Sequence, residues 1–198
     1  MKKKLIFIAE AGVNHNGSLK KAIKLIDSAS YAGADYVKFQ TYQTDHLILK
    51  DTPKARYQIK NTGSKSSQYD LLEKLQISYD DHYKLISHAK KRKIKFLSSA
   101  FDLESLKFLS NLNLDFIKIP SGEIDNIPYL QQVGGLNKNT ILSTGMSTIR
   151  EIQKAINILK TSGLSHKKLT ILQCNTEYPS PLKDANINVL INLKNKFK

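Results

Sequence analysis

Two polar side chains stand two residues apart in a segment that otherwise has the apolar character of a buried strand. Lys38 and Gln40 lie within the run DYVKFQT, residues 35–41. Because alternate residues of a strand point to the same face, both side chains are predicted to enter one enclosed space. An ammonium group and an amide in such a space can bind an anion and a hydroxyl group. The chemistry expected of this strand is ligand binding rather than core packing.

Polar residues also stand at or near the ends of the other apolar runs. Burying a polar or charged group costs free energy unless the group is paired or used. Several such costs at strand ends indicate one shared site, around which these side chains are expected to converge. The residues are Glu10, Ser99, Lys118, Ser143 and Asn175.

The residues alone leave three roles open for each of the two strand lysines. Lys38 can form an ion pair with Glu10, hold a phosphate or carboxylate, or form a Schiff base with a carbonyl substrate. The same three roles are open for Lys118. Two lysines in one site favour anion binding, because each counters the charge of the substrate. Glu123, in a tight Ser-Gly-Glu turn after a strand, is a candidate general acid or base.

Three loops carry further candidates. His15, in the loop after the first strand, is either a functional residue or a loop histidine satisfied by local hydrogen bonds. The hydroxyl groups of residues 143–144, just before a helix, are predicted to bind phosphate, with plain helix capping as the alternative. Tyr178, in a proline-held loop, either donates to a sugar hydroxyl or packs. Cys174 and Met146 are expected in the core. The five histidines show no paired metal-binding spacing.

The order of elements indicates an α/β fold of repeated βα units. The predicted strands are continuous apolar runs, as in a parallel sheet covered on both faces. No glycine-rich phosphate fingerprint follows the first strand, and polar residues at strand ends favour a TIM-type (β/α)8 barrel, whose chemistry lies at that rim. A long insertion, 42–78, is either a binding loop or a solvated excursion. Strands are predicted at 4–10, 35–41, 95–100, 115–120, 139–144 and 169–175.

Helix boundaries and buried faces follow from capping signals and apolar spacing. Ser18 is a predicted N-cap with Gly33 as the stop, and Thr148 begins a capping box. Four helix faces are predicted to be buried. They consist of Leu19, Ala22, Ile23, Ile26 and Ala29; of Tyr83, Ile86 and Ala89; of Leu103, Leu106 and Leu109; and of Ile152, Ala155, Ile156 and Leu159.

Composition narrows the class of protein. The net charge is +14 over 198 residues, but the lysines are spread over predicted helices and loops, so nucleic-acid binding ranks last and anionic small substrates are favoured. A single cysteine, Cys174, allows no internal disulfide and suits a reducing, cytoplasmic location. No apolar run is long enough to span a membrane.

Six motifs in this order resemble the sialic acid synthase family over essentially the whole chain. They are IAEAGVNHNGS, AGADYVKFQT, KARYQIKNTG, IKIPSGE, ILSTGM and CNTEYPSP. The resemblance implies condensation of phosphoenolpyruvate with an N-acyl hexosamine, usually N-acetylmannosamine. It also implies a divalent metal, Mn²⁺ or Mg²⁺, that polarises the sugar aldehyde. A legionaminate-type synthase is the near alternative.

The resemblance also implies roles for residues. Those expected to contact phosphoenolpyruvate are Lys38, Lys118, Ser121 and Ser143. Glu10, Gln40 and Tyr178 are expected to contact the sugar, and Glu123 is expected to be the base that activates water. A family threonine that contacts phosphoenolpyruvate falls on Ser99 or Ala100, and only Ser99 could replace its hydroxyl. A family asparagine contact falls on Asn175 or Thr176.

Members of this family are longer than this chain. Residues 1–198 are therefore expected to form a partial synthase barrel of about six βα units, without the C-terminal antifreeze-like domain and without the metal-binding histidines. Family members form homodimers. The isolated chain is expected to have negligible turnover unless a second chain supplies the remainder. The competing hypotheses are an inactive truncated fragment and a Schiff-base aldolase.

Overall fold

The computed structural model describes residues 5–54, 58–59, 67–177 and 180–197. The chain divides into two compact units, the N-terminal unit, residues 1–98, and the C-terminal unit, residues 99–198.

The N-terminal unit alternates strands and helices, and the described residues of the predicted insertion include two further helices, Thr44–Leu47 and Gln68–Leu75. Its elements are β1 (Ile8–Gly12), α1 (Leu19–Tyr31), β2 (Tyr36–Thr41), α2 (Thr44–Leu47), α3 (Gln68–Leu75), α4 (Tyr79–Lys91) and most of β3 (Lys95–Ala100).

The C-terminal unit continues the alternation, with short 3-10 turns at Ser121–Glu123, His166–Lys168 and Leu182–Asp184. Its other elements are α5 (Leu103–Asn111), β4 (Ile117–Ile119), α6 (Ile127–Leu136), β5 (Thr140–Ser143), α7 (Ile149–Thr161), β6 (Leu169–Leu172) and α8 (Val189–Lys196).

The strand order confirms the predicted fold class. The sheet runs β1-β2-β3-β4-β5-β6, and the ladders β1–β2, β3–β4, β4–β5 and β5–β6 are parallel. Strands that neighbour one another in chain order characterise the TIM-type barrel, whereas a doubly wound sheet reverses its order at a switch point. Six of the eight βα units of that class are present. In the part of the chain described, none of the helices combines the length and apolar character needed to cross a membrane.

Local sequence signals place most helices correctly. The Ser18 hydroxyl accepts a hydrogen bond from the Lys21 N–H, and α1 ends just before Gly33, whose φ of +77° suits glycine. Thr148 and Glu151 form the predicted capping box of α7. All four apolar residues predicted for the inner face of α7 are buried.

The predicted bounds of β1 are wrong, and so is one residue in each of two predicted helix faces. Strand β1 begins at Ile8 rather than near residue 4, and residues 5–7 are exposed. Its pairing with β2 passes an irregularity between Glu10 and Gly12, which carries the strand beyond its predicted end. Leu103 is exposed because it occupies the first turn of α5.

The buried face of α4 also differs from the prediction. Tyr83 is 55% exposed, whereas His82 and Leu85 are fully buried. The apolar spacing pointed to Tyr83 because histidine is usually classed as polar. His82 is nevertheless buried with both ring nitrogens hydrogen-bonded, so burial leaves neither nitrogen unsatisfied.

Candidate functional site

The predicted site residues of the N-terminal unit meet across β1 and β2. Glu10 and Lys38 face each other in the ladder, and the Lys38 ammonium group forms an ion pair with the Glu10 carboxylate. The Lys38 side chain is 13% exposed and that of Glu10 is 37% exposed. One of the three roles predicted for Lys38, pairing with Glu10, is therefore present in the structure.

Gln40 lies beside the same carboxylate. A Cβ atom placed on Gly12 would lie 3.2 Å from Glu10 Oε1 and 3.8 Å from Gln40 Nε2. The missing side chain of Gly12, which has a φ of +52°, thus leaves room for the Glu10 carboxylate at the end of β1. A carboxylate and an amide at this position can accept and donate hydrogen bonds to hydroxyl groups.

The N-terminal unit contains a series of buried hydrogen bonds that the sequence did not predict, and it joins Thr41 to Ser98 and to α4. The Thr41 hydroxyl is 2.7 Å from His82 Nε2 and 2.6 Å from Ser98 Oγ. His82 Nδ1 lies 2.8 Å from the Ser78 carbonyl oxygen, which can only accept. Nδ1 therefore donates, and neutral His82 accepts the Thr41 proton at Nε2. Burial lowers the pKa of His82, although Ser78 and Asp81 oppose the shift.

His15 adds a second buried imidazole to this unit. It is fully buried, and its Nδ1 atom accepts a hydrogen bond from the Gly17 N–H. The proton of the neutral ring is then on Nε2, which finds no hydrogen-bond partner among the described residues. Burial, followed by the charge of His82, lowers the pKa of His15. The sequence left two roles open for His15, a functional one and that of a loop histidine satisfied by local hydrogen bonds.

In the C-terminal unit the centre of the predicted site is Lys118, which is 6% exposed. Its ammonium group donates to Ser143 Oγ at 2.5 Å and to the Ile119 carbonyl oxygen at 2.9 Å. Cys174 Sγ lies 3.3 Å from Ser143 Oγ. Three residues from β4, from the end of β5 and from the segment after β6 therefore meet. Cys174, expected in the core, is half-buried.

The loop after β5 packs tightly against the turn after β4. The Gly145 N–H donates to Ser121 Oγ at 3.0 Å. A Cβ atom on Gly145 would come within 2.9 Å of that oxygen and 2.8 Å of Thr176 Cγ2, so glycine is needed there. Met146, expected in the core, is instead 90% exposed with a φ of +55°, because the loop turns outward after Gly145.

Glu123 ends the predicted tight turn, which is a 3-10 turn in the structure. Burial raises the pKa of Glu123, and the charges of Asp125 and Asp102 act in the same direction. Asn126 opposes them, because its Nδ2 atom donates to Glu123 Oε2 at 2.6 Å. Sequence reasoning did not single out Asn126. The available signal was an asparagine two residues before Pro128, a typical start of a helix.

Two further predicted residues, Ser99 and Asn175, lie in or shortly after a strand. Ser99 is buried in β3 and pairs in register with Lys118. Asn175, three residues after β6, donates from Nδ2 to the Asp184 carbonyl oxygen at 3.1 Å. Tyr178 lies outside the described residues.

The side chains that the structure describes include no group of three or more histidine, cysteine, aspartate or glutamate residues able to hold a metal ion. They therefore do not make up a metal site by themselves. The divalent metal implied by the resemblance remains a prediction, and the chemistry of the described residues is that of ammonium, hydroxyl, amide and carboxylate groups.

Comparison with known proteins assigns the family. Residues 25–198 match the NeuB family. The chain belongs to the NeuB family. It is 48% identical over 196 residues to the N,N'-diacetyllegionaminic acid synthase of Campylobacter jejuni, a match that covers 99% of this chain and 59% of that protein. It is 42% identical over 194 residues to the synthase of the same name from Legionella pneumophila, covering 96% and 54%.

Solved structures agree with this assignment. The crystal structure of N-acetylneuraminic acid (sialic acid) synthetase from Leptospira borgpetersenii serovar Hardjo-bovis, in complex with citrate, superposes with a TM-score of 0.81 at 29% identity. The match covers 98% of this NeuB chain and 62% of that one. The chain thus spans between half and two thirds of the length of these three relatives.

Proposed function

We propose that this NeuB chain carries the phosphoenolpyruvate-binding part of a synthase that condenses phosphoenolpyruvate with an N-acyl hexosamine. In this reaction C3 of phosphoenolpyruvate bonds to the aldehyde carbon of the open-chain sugar, whose oxygen takes a proton. Water adds to C2, and the tetrahedral intermediate loses inorganic phosphate as the C2–O bond breaks. The product is a nine-carbon 2-keto acid when the acceptor is a hexosamine.

One observation carries the proposal: the Lys118 ammonium group donates to Ser143 Oγ in a buried position. The Ser143 oxygen accepts from an ammonium group, which has no acceptor atom, so the hydroxyl hydrogen points elsewhere. Ser121 Oγ likewise accepts from the Gly145 N–H. Two hydroxyl donors and an ammonium group in one unit suit a phosphate or carboxylate, since hydrogen bonds to ionised groups are strong.

Glu123 supports the hydration step. A general base works best when its pKa lies near the working pH. Burial raises the pKa of Glu123 from its usual acidic range toward that condition. We assign it the removal of a proton from the water that adds to C2.

The N-terminal unit contributes the remaining proposed contacts. Glu10 and Gln40 are assigned to sugar hydroxyl groups, which a carboxylate and an amide bind well. Lys38 is assigned to the charge of phosphoenolpyruvate, in competition with its ion pair to Glu10.

The sugar has two candidates. N-acetylmannosamine follows from the motifs of the sequence. A diacetamido hexosamine, giving a legionaminate-type product, is favoured by the relative with 48% identity, which is named an N,N'-diacetyllegionaminic acid synthase. A product assay with phosphoenolpyruvate and a panel of N-acyl hexosamines, run on the chain reconstituted with a complementing C-terminal fragment, decides between them.

Calorimetric titration of the 198-residue chain with phosphoenolpyruvate tests the anion site. Ser143→Ala and Ser121→Ala are each expected to weaken binding by about tenfold, the effect of one hydrogen bond to a charged group. Ser165→Ala, an exposed serine of the same unit, is the matched control and should bind like the parent chain.

Two results would refute the proposal. One is equal affinity of the parent chain and Ser143→Ala for phosphoenolpyruvate. The other is a covalent adduct at Lys118 or Lys38 after treatment with pyruvate and borohydride, because trapping of an imine indicates a Schiff-base aldolase.

A further inference from the structure

Asn126 joins the candidate base Glu123 to the start of α6. Its backbone N–H donates to the Glu123 carbonyl oxygen at 3.2 Å, and its side-chain Nδ2 donates to the Glu123 carboxylate at 2.6 Å. Its side-chain Oδ1 accepts from the Tyr129 N–H at 3.2 Å, which makes Asn126 the N-cap of α6. One side chain therefore begins a helix and holds a carboxylate.

The orientation of this amide follows from its partners. A backbone N–H can only donate, so the oxygen of the Asn126 side chain must face Tyr129. The NH₂ group is then directed at Glu123, where it favours an ionised carboxylate that accepts hydrogen bonds. The helix cap thus determines which end of the amide meets the carboxylate.

Other groups around Glu123 act against its ionisation. Asp125 belongs to the same turn, and Asp102 caps α5 from the neighbouring element. The Tyr129 hydroxyl, from α6, donates to the Ala100 carbonyl oxygen. Burial raises the pKa of Tyr129, and the charges of Glu123 and Asp102 act in the same direction. A half-buried glutamate beside two aspartates needs a donor if it is to act as a base near neutral pH.

We propose that Asn126 is a positioning residue that holds the Glu123 carboxylate in its ionised, water-activating orientation. The proposal deepens the proposed function, since it concerns how the assigned base is prepared. The hydrogen bond itself belongs to the folded C-terminal unit and does not require turnover.

The test is the titration of the Glu123 carboxyl carbon in the 198-residue chain, followed by ¹³C NMR and assigned by its loss in Glu123→Gln. Asn126→Ser and Asn126→Asp both keep a good N-cap residue but remove the NH₂ donor. In Asn126→Ser the midpoint is expected to rise by about one pH unit, a tenfold change in the ionisation equilibrium. Asn126→Asp is expected to raise it further, because it adds a like charge.

Thr148→Ala provides the matched control. It removes the N-cap of α7 in the same unit, so it should lower the melting temperature without moving the Glu123 titration. The proposal is overturned if Asn126→Ser leaves the midpoint unchanged, or if Thr148→Ala moves it equally.

The phosphoenolpyruvate titration separates this proposal from the proposed function. If Asn126→Ser does not shift the Glu123 midpoint and the parent chain binds phosphoenolpyruvate as expected, only the role of Asn126 is refuted. If Asn126→Ser shifts the Glu123 midpoint as expected but the parent chain does not bind phosphoenolpyruvate, the role of Asn126 in setting the Glu123 carboxylate is supported and the proposed function is refuted.

Discussion

The two strand lysines of this chain are held in different ways. Lys38, in the N-terminal unit, is paired with a carboxylate that is more than one third exposed. Lys118, in the C-terminal unit, is buried and donates to a carbonyl oxygen and a hydroxyl oxygen, both neutral. The same residue type on the same kind of element is therefore supported by opposite kinds of partner.

The difference in partners changes the electrostatic field around each lysine. An ion pair cancels most of the field that its lysine projects, and solvent weakens what remains. Neutral oxygens orient an ammonium group without cancelling its charge. The two neutral oxygens that accept from Lys118 therefore leave its charge in place, whereas Lys38 must exchange its carboxylate partner for any ligand.

Loss of the Lys118 charge should have the largest effect on anion binding. Lys118→Met is expected to weaken phosphoenolpyruvate binding by about 100-fold, the upper range for a hydrogen bond to a charged group. The double variant Lys38→Met with Glu10→Gln removes the ion pair without changing net charge and should lose about tenfold or less. Calorimetry at constant ionic strength measures both.

Lys154→Met, at an exposed position on α7, controls for the general loss of positive charge and should bind almost normally. If Lys118→Met and the double variant lost phosphoenolpyruvate affinity equally, the contrast between the two lysines would be wrong. Lys38 would then reach the ligand as directly as Lys118 does.

A fall in pH should lower the stability of the N-terminal unit and raise the stability of the C-terminal unit. His15 and His82 have lowered pKa values in the folded N-terminal unit. The unfolded chain therefore binds more protons below about pH 6.5, and this unit should lose stability as the pH falls through that value. Glu123 has a raised pKa when folded, so its ionisation destabilises the C-terminal unit as the pH rises above about 4.5. Hydrogen exchange, resolved by peptide and corrected for intrinsic rates, measures both trends.

One variant sharpens this expectation. His82→Gln should flatten the acid response of the N-terminal unit, because it removes a buried imidazole with a lowered pKa. If lowering the pH from 7 to 5 increased the opening of the C-terminal unit more than that of the N-terminal unit, the assignment of the buried imidazoles would be contradicted.

The smallest effect is expected from breaking the ion pair alone. Glu10→Gln should change the free energy of unfolding by less than about 1 kcal/mol, because the carboxylate is partly exposed and solvent screens the pair. Urea unfolding at low and high salt measures this, and the difference should shrink as salt is added. Lys84→Met, which breaks an exposed ion pair with Asp81, gives the comparison value. A loss well above that value would mean that the pair stabilises the N-terminal unit.

Much of the fold was predictable because it depends on neighbours in sequence. Thr148 and Glu151 form a box within one helical turn, and the apolar stripe of α7 repeats with the helical period. The runs around Val37, Leu97 and Leu142 are apolar enough to indicate buried parallel strands.

The errors arose where distant residues decide the outcome. His82 is buried because Thr41 and Ser78 satisfy its two nitrogens, and Thr41 is 41 residues away in the chain. Met146 is exposed because Gly145 is held against Ser121, which directs the next residue outward. The end of β1 was misplaced because an irregular pairing with β2 extends that strand to Gly12.

The sequence by itself determined the order of elements, the helix caps and the residue types from which the site is drawn, since these depend on local backbone preferences and on apolar periodicity. Only the tertiary structure decided which partner each polar group has: a carboxylate for Lys38, a hydroxyl for Lys118 and an amide for Glu123. The physical reason is that a charge responds to atoms within a few ångströms, and those atoms are brought there by strand register and loop packing.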